Sequence, residues 1–205
     1  MKVALVDYGA GNVASVERAL RRLDADSFPA NTPTCIANAD ALLLPGVGHY
    51  TTLIRALDER ALRGPLLEAL ERGVPFLGVC LGLQALFETS EEAPERLGLR
   101  ILPGRVRALP AICKLPHMGW NQLQRKQESR LLEGIGSVAY FYFAHSYAAF
   151  AADVDSGPFV TATCTHGAEF VSVLEKENIH AVQFHPEKSG EAGARVLANF
   201  LRLAS

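Results

Sequence analysis

The segment that decides the fold runs from residue 74 to residue 87 and reads VPFLGVCLGLQALF. It begins with the apolar run of a short buried strand and ends with a pattern that can start a helix. Between the two, Cys80 lies two residues after Gly78 and two residues before Gly82. A nucleophile on a sharp strand-to-helix turn needs small residues at these positions, because the backbone folds back on itself. The spacing therefore predicts a cysteine nucleophile elbow whose helix N–H groups favour a thiolate, although a buried apolar cysteine is the alternative for the pentapeptide alone.

The composition narrows the class of protein. With 205 residues the chain is long enough for one well-buried domain, and we expect a single domain over 1–205. It carries 20 basic and 22 acidic residues, so neither nucleic acid nor a membrane surface is an expected partner. The apolar stretches are too short to cross a bilayer, and the first residues lack a signal-peptide pattern. The four cysteines lack CxxC spacing, so neither a zinc site nor a disulfide framework is indicated, and a reducing cytoplasm fits best. We expect no metal and no cofactor.

Short apolar runs alternate with helical patterns in the first half of the chain. Strands are predicted at 3–7, 41–44 and 76–79, and helices at 13–23, 53–57 and 64–72. The second half has strand patterns at 105–109, 139–143, 159–164, 170–175 and 178–184, and a final helix at 192–203. We therefore predict an α/β fold: an open, mostly parallel sheet flanked by helices, with an antiparallel strand extension. Ligands of such sheets bind at the carboxyl ends of the strands, where Cys80 is expected.

A thiolate needs a base, and one histidine of the six has a carboxylate two residues further on. This pair lies in QFHPEK, residues 183–188, as His185 and Glu187. Because Pro186 favours an extended backbone before it, the two side chains are expected on the same side. We predict a triad with Cys80, in which Glu187 orients the imidazole and His185 transfers the proton. A solvated surface loop is the alternative for the His-x-Glu pattern alone.

Acyl transfer also needs N–H donors for the oxyanion. Leu81 follows the nucleophile, and its N–H is one candidate by analogy with other elbow enzymes. A second donor could come from LPGVG, residues 44–48, where a predicted strand enters a glycine-rich turn. A plain β-turn is the alternative for this short pattern.

Together these motifs resemble those of class I, or triad-type, glutamine amidotransferases. More narrowly, the chain resembles the glutaminase subunits of imidazole glycerol phosphate synthase, an enzyme of histidine biosynthesis. The segments that carry the resemblance are DYGAGN (7–12), PGVG (45–48), GVCLGLQ (78–84), PHMGWN (116–121), HSY (145–147) and QFHPEKS (183–189). They cover nearly the whole chain, and the resemblance implies a single type 1 glutamine amidotransferase domain with a class I glutaminase-like fold.

The resemblance also implies the roles of individual residues. Cys80 would attack the side-chain amide of glutamine and form a thioester, and glutamate and ammonia would be released. The backbone N–H groups of Val47 and Leu81 would form the oxyanion hole, and the Val47 peptide would turn into place when a partner binds. The implied substrate-binding residues are Gly46, Gly48, Gln84, His145, Ser146 and Tyr147. The candidates for the partner interface are Asn12, Met118, Trp120 and Lys188, each of which could instead be core packing or a solvated charge.

The partner that the resemblance implies is a cyclase subunit with a (β/α)₈ barrel, bound in a heterodimer. It would take the ammonia through an internal passage and make imidazole glycerol phosphate and aminoimidazole carboxamide ribonucleotide. Two other interpretations stay open: a related subunit that has lost catalysis, and a glutaminase of para-aminobenzoate or anthranilate synthesis, which PHMGWN disfavours. Two positions depart from the family pattern, because His49 stands where a small residue is usual and His166 where a tyrosine is usual.

Overall fold

The structure is a computed structural model that describes residues 1–10, 12–154 and 159–205. Gly11, which belongs to the DYGAGN segment, lies outside the described residues. The strands, in chain order, are β1 Lys2–Val6, β2 Asp26–Ala30, β3 Ala41–Gly46, β4 Phe76–Cys80, β5 Thr89–Ser90, β6 Arg105–Ala108, β7 His117–Gln122, β8 Gln124–Arg125, β9 Tyr140–His145, β10 Tyr147–Ala149, β11 Val160–His166, β12 Ala168–Lys176 and β13 Ile179–Val182. The helices are α1 Val13–Arg21, α2 Pro33–Ala37, α3 Tyr50–Glu59, α4 Arg63–Glu71, α5 Leu81–Gln84 and α6 Gly190–Leu203, and a 3₁₀ helix covers Pro186–Lys188.

The main sheet has eight strands in the order β2-β1-β3-β4-β13-β12-β11-β8. From β2 to β13 the neighbouring strands run parallel. The strands β12, β11 and β8 continue the sheet with antiparallel pairs. Two smaller sheets, β10-β6-β5 and β7-β9, accompany it. The expected α/β fold, a mostly parallel sheet with an antiparallel extension, is confirmed.

Strands β3 and β4 lie in the middle of the sheet and are buried along their whole length. Successive side chains of β3 point to opposite faces, so that Leu42 and Leu43 enter two different apolar clusters. Burial on both faces explains why these strands have continuous apolar sequences. In the parallel ladder Gly46 pairs with Cys80, so the fold brings the glycine turn beside the cysteine at one edge of the sheet.

Some elements were not predicted from the sequence. Strand β2 contains Pro29, which cannot donate a ladder hydrogen bond but is tolerated because β2 is an edge strand. Strand β7 was not expected because it contains Gly119, and a glycine weakens a strand pattern; in the structure the strand continues through Gly119, which pairs with Phe143. Helix α5 ends at Gln84 and is shorter than the helix expected from the pattern at 83–87. Among the described residues, we find no helix with the length and apolar character needed to cross a membrane.

Candidate active site

Cys80 ends strand β4 in a strained backbone conformation, with φ 54° and ψ −105°. A Cβ atom on Gly82 would lie 2.1 Å from the Leu44 carbonyl oxygen, and a Cβ atom on Gly78 would lie 2.7 Å from the Gly82 carbonyl oxygen. Close backbone contacts therefore require both glycines, as the spacing predicts for a nucleophile elbow. Helix α5 begins at Leu81 but has only 4 residues, so its dipole stabilises a thiolate less than we expected.

His185 and Glu187 form a buried pair next to Cys80, with 2% and 1% of their side chains exposed. His185 Nδ1 lies 2.9 Å from Glu187 Oε1. Because an ionised carboxylate only accepts hydrogen bonds, Nδ1 carries a proton and the other ring nitrogen faces the cysteine. Burial alone lowers the pKa of His185, but hydrogen bonds with Cys80 and Glu187 raise it to about 10. The arrangement favours an imidazolium at His185, beside the sulfur of Cys80.

The backbone between His185 and Glu187 does not have the extended conformation that the sequence predicts. His185 is extended, with φ −99° and ψ 97°, but Glu187 lies within the 3₁₀ helix. The two side chains therefore meet across a turn and not along one side of an extended strand. The His185 N–H donates to the Tyr142 carbonyl at 2.8 Å, and its carbonyl accepts from the Ser189 hydroxyl at 2.7 Å. These two bonds fix the backbone that carries the imidazole.

A cavity of about 180 Å³ lies in front of Cys80, at the carboxyl ends of β3 and β4. Every residue predicted for substrate binding lines it: Gly46, Gly48, Gln84, His145, Ser146 and Tyr147. Cys80, His185 and the two oxyanion candidates, Val47 and Leu81, line it as well. Glu187 is not among the lining residues and lies behind His185. The structure thus brings the predicted triad, oxyanion donors and pocket residues to one place.

The two oxyanion candidates are held differently. Leu81 is the first residue of α5, where backbone N–H groups have no acceptor inside the helix. Val47 N lies 3.4 Å from the Tyr8 hydroxyl oxygen, and the Val47 carbonyl oxygen lies 3.5 Å from the same hydroxyl. Burial raises the pKa of Tyr8 to about 12, so this hydroxyl stays neutral near physiological pH. The Val47 N–H is therefore occupied by Tyr8, a residue that the sequence reasoning did not assign to the site.

Two predicted substrate-binding side chains are already bonded within the protein. The Gln84 side-chain nitrogen donates to the Tyr147 carbonyl at 2.7 Å and to Gln183 Oε1 at 3.2 Å, which leaves Gln84 Oε1 for a ligand. His145 Nδ1 donates to the same Tyr147 carbonyl at 2.9 Å, and its Nε2 lies 3.1 Å from His117 Nδ1. Burial lowers the pKa of His145 to about 3. The neutral His145 ring therefore supports the cavity wall and has no free nitrogen for substrate.

His117 links this wall to the PHMGWN segment. Because His145 Nε2 accepts, His117 Nδ1 donates, and His117 Nε2 accepts from the Asn121 amide at 3.4 Å. Burial lowers the pKa of His117 to about 4. Its ring stacks on His166 at a centroid distance of 4.2 Å, and His166 Nε2 lies 2.8 Å from the Lys114 carbonyl oxygen. The departure from tyrosine at position 166 thus keeps a flat ring against His117.

Glu92 and His49 are two further residues near the glycine turn. Glu92 lines the cavity, and its Oε2 accepts from the Tyr50 N–H at 2.9 Å. The sequence offers no signal for this role, because Glu92 lies in an acidic loop without a motif. His49 is exposed and caps α3, with Nδ1 accepting from the Thr51 N–H at 3.2 Å. His49, which departs from the family pattern, therefore caps the start of α3 and does not line the cavity.

The predicted partner residues lie mostly on one exposed surface. Met118 and Trp120 of β7 are 65% and 55% exposed, which excludes core packing for both. Trp120 packs edge-on against Tyr142, and Lys188 Nζ lies 5.7 Å from the centre of the Tyr142 ring. Lys188 also lines the cavity, so the exposed surface continues to the active site. Asn12 is half-buried and precedes α1, which contacts the 3₁₀ helix.

The chain is similar to known proteins over almost its whole length. The family model described as glutamine amidotransferase class-I matches residues 4–204. Imidazole glycerol phosphate synthase subunit HisH of Methanothermobacter thermautotrophicus is 47% identical over 201 residues, which cover 98% of each chain. The chloroplastic imidazole glycerol phosphate synthase hisHF of Arabidopsis thaliana is 44% identical over 201 residues, which are 97% of this chain and 34% of that protein.

A solved structure, described as a glutamine amidotransferase, has a similar fold. It matches with a TM-score of 0.77 over 98% of both chains, at 22% identity. At this identity the likeness concerns the fold alone, whereas the family model and the curated relatives are matches of sequence. On these grounds the chain belongs to the class I glutamine amidotransferase family.

Proposed function

We propose that this chain is the glutaminase subunit of an imidazole glycerol phosphate synthase. One observation carries the glutaminase part of the proposal: Cys80 lies on a strained elbow, next to a buried His185 that is bonded to Glu187 at 2.9 Å. The choice among glutaminases is supported by relatives that bear the name of this synthase subunit and match nearly the whole chain. The intact triad argues against a subunit that has lost catalysis.

In the first half of the reaction, the Cys80 thiolate attacks the side-chain amide carbon of glutamine and a C–S bond forms. The carbonyl oxygen becomes an oxyanion, which the N–H groups of Leu81 and Val47 would stabilise. His185 gives its proton to the amide nitrogen, the C–N bond breaks, and ammonia leaves. The product that stays bound is a thioester of glutamate with Cys80. Glu187 keeps the imidazole in the orientation needed for both proton transfers.

In the second half, His185 removes a proton from water, and the hydroxide attacks the thioester carbon. The C–S bond breaks, the sulfur takes back the electron pair, and glutamate is released. The cavity offers groups for the amino-acid end of the substrate, because Glu92 and Lys188 line it with opposite charges. We assign Glu92 to the α-ammonium group and Lys188 to the α-carboxylate. The small volume of about 180 Å³ suits a single amino acid.

The ammonia would be consumed by a partner chain, which we propose to be a cyclase with a (β/α)₈ barrel. The Arabidopsis relative supports a second unit, since this chain corresponds to 34% of a protein named for the whole synthase. The docking surface would comprise Met118, Trp120, Lys188 and Asn12. Trp and Met are enriched at protein interfaces, and here they lie on the exposed face of a two-stranded sheet.

The experiment that tests the proposal measures glutamate release with and without the cyclase subunit and its nucleotide. We expect slow hydrolysis by the chain alone and a large increase in the complex. In the complex, Cys80→Ala should reduce glutamate release by about 10⁴-fold or more, whereas synthesis from added ammonia stays within about twofold of the parent.

Cys35→Ala is the matched control, because Cys35 is a free cysteine that does not line the cavity. It should leave glutamate release unchanged. Parental hydrolysis by Cys80→Ala would show that the nucleophile is wrongly assigned. Full activity of the isolated chain would contradict the dependence on a partner.

A further inference from the structure

Two buried glutamine amides connect the wall of the cavity to the sulfur of Cys80. Gln84 and Gln183 are 3% and 0% exposed, and the Gln84 side-chain nitrogen lies 3.2 Å from Gln183 Oε1. Gln183 Nε2 lies 3.6 Å from Cys80 Sγ, a distance suited to an N–H···S hydrogen bond. Gln183 reaches this position because Val182 of β13 pairs with Val79 of β4 in the parallel ladder. The residues that follow them, Gln183 and Cys80, therefore lie at the same level.

One backbone carbonyl fixes the direction of both amides. The Tyr147 carbonyl oxygen lies 2.7 Å from the Gln84 side chain, which must present its nitrogen there. The same NH₂ group gives its second hydrogen to Gln183, so Gln183 must present its oxygen to Gln84. The other end of the Gln183 amide is then its NH₂ group. A hydrogen-bond donor, and not a lone pair, therefore faces the cysteine sulfur.

From this geometry we infer that Gln183 is a further catalytic residue, whose side-chain N–H stabilises the negative charge on the Cys80 sulfur. The inference rests on the proposed glutaminase function, in which Cys80 is the nucleophile. Cys80 is 5% exposed, so little water reaches its sulfur, and a negative charge there depends on donors of the protein. Helix α5 is too short to supply much compensation, whereas a direct N–H to a charged acceptor is a strong hydrogen bond.

The same contact serves both halves of the reaction. Before attack the sulfur is negatively charged and the Gln183 N–H stabilises it. When the C–S bond forms, the sulfur loses that charge and the hydrogen bond weakens. When water opens the thioester, the electron pair returns to the sulfur and the hydrogen bond strengthens again. Gln183 thus supports the thiolate as nucleophile and as leaving group, beside the imidazolium of His185.

The test replaces Gln183 by Met, which keeps a similar length and volume but has no N–H. Alkylation of Cys80 by iodoacetamide is followed by peptide mass spectrometry on the full chain between pH 6 and pH 10. We expect the rate at pH 7 to fall about tenfold in Gln183→Met and to recover toward the parental rate at pH 10. The assay needs neither glutamine nor the partner, so it still decides the role of Gln183 if the proposed function fails.

Val182→Ala is the matched control, because it removes buried atoms from the preceding residue and leaves the two amides in place. Its Cys80 alkylation rate should stay within about twofold of the parent at every pH. Cys164 provides an unreactive thiol in the same samples, since burial raises its pKa to about 12. Parental alkylation of Cys80 at pH 7 in a folded Gln183→Met variant would overturn the inference and leave Gln183 a packing residue.

A second variant decides the question if Gln183→Met does not fold. Gln183→Glu keeps an oxygen toward Gln84 and places the other oxygen against the sulfur. Once ionised, this carboxylate repels a thiolate, so we expect Cys80 alkylation at pH 8 to be slower than in the parent by at least tenfold. A rate equal to the parent would contradict the proposed donor role.

Discussion

Two backbone segments, the elbow and the glycine turn, would surround a tetrahedral intermediate in the cavity, and they differ in how tightly they are packed. The elbow, residues 78–82, is buried throughout and presses against the end of β3. The glycine turn, residues 46–48, passes from buried to exposed within three residues. At Gly48 φ is +92°, and no atom lies within 4 Å of the place where a Cβ would be. A Cβ on Gly46 would lie 2.4 Å from Leu81 Cβ, so the start of the turn is packed as tightly as the elbow. The elbow therefore cannot adjust without clashes, whereas the Gly48 end of the turn has room to move.

Because the two sides differ in packing, the proposed nucleophile and base are held rigidly, whereas the N–H of Val47, a proposed oxyanion donor, lies on the turn. Cys80, the proposed nucleophile, and His185, the proposed base, already lie side by side, but on the turn side the Val47 N–H is engaged by Tyr8 at 3.4 Å. Loss of one oxyanion donor typically reduces turnover by about 10²-fold to 10³-fold. A partner that frees this one N–H could therefore control the reaction without moving Cys80 or His185.

The largest effect is expected when the elbow is broken with Gly82→Ala. The new Cβ would lie 2.1 Å from the Leu44 carbonyl oxygen, a backbone atom that cannot move without distorting β3. We expect the free energy of unfolding to fall by about 3 kcal/mol or more in urea titrations. Gly64→Ala is the control, because no atom lies within 4 Å of a Cβ at that position. Equal stability of the two variants would show that the elbow is not tightly packed.

Gly48→Ala tests the other side of the comparison and should be milder. The open space accepts a methyl group, but a positive φ disfavours any residue with a Cβ. We expect the free energy of unfolding to fall by about 1 kcal/mol, again measured in urea. A loss as large as that of Gly82→Ala would mean that the turn is as rigid as the elbow, and the contrast between the two sides would be wrong.

Low pH is expected to destabilise the cavity wall next to the elbow, because buried histidines support that wall. Burial lowers the pKa of His117 from 6.5 to about 4. As the pH falls below 6.5, the unfolded chain binds a proton that the folded chain does not, so stability present above pH 6.5 is lost. From pH 7 to pH 5.5 this lowers the free energy of unfolding by about 1 kcal/mol.

His117→Phe keeps a ring in the stack and removes the titrating group. Between pH 7 and pH 5.5 its free energy of unfolding should therefore fall by about 1 kcal/mol less than that of the parent. An unchanged pH dependence in His117→Phe would contradict the buried neutral state of His117.

Features that depend on local sequence could be predicted, whereas features that depend on position in the sheet could not. The elbow and the strands β3 and β4 were predictable because apolar runs and glycine spacing are local signals. Strand β2 was missed because Pro29 contradicts a strand pattern, and only the edge position in the sheet makes it acceptable. His185 and Glu187 were paired correctly from their spacing, although the backbone forms a turn there.

Contacts between polar side chains far apart in sequence could not be predicted. Gln84 and Gln183 are 99 residues apart, and Tyr8 and Val47 are 39 apart. Such pairs depend on which strand ends meet at one edge of the sheet, and a single sequence does not contain their distances. His145 shows the same limit, because its place in the cavity was expected but the use of both ring nitrogens was not.

The smallest effect, and the most informative for the turn, is expected from Tyr8→Phe. This change keeps the buried ring and removes the hydroxyl that accepts the Val47 N–H. Because a long hydrogen bond of this kind contributes less than about 1 kcal/mol, we expect glutamate release by the chain alone to rise about threefold. Release in the complex should stay within about twofold, so the activation ratio falls.

Tyr50→Phe is the matched control for Tyr8→Phe. Tyr50 is equally buried, and its hydroxyl has no hydrogen-bond partner in the described part of the chain. It should therefore leave both rates unchanged. If Tyr8→Phe leaves release by the chain alone unchanged, Tyr8 does not restrain the turn. If it lowers release in the complex by tenfold, the hydroxyl helps to build the oxyanion site and does not hold it back.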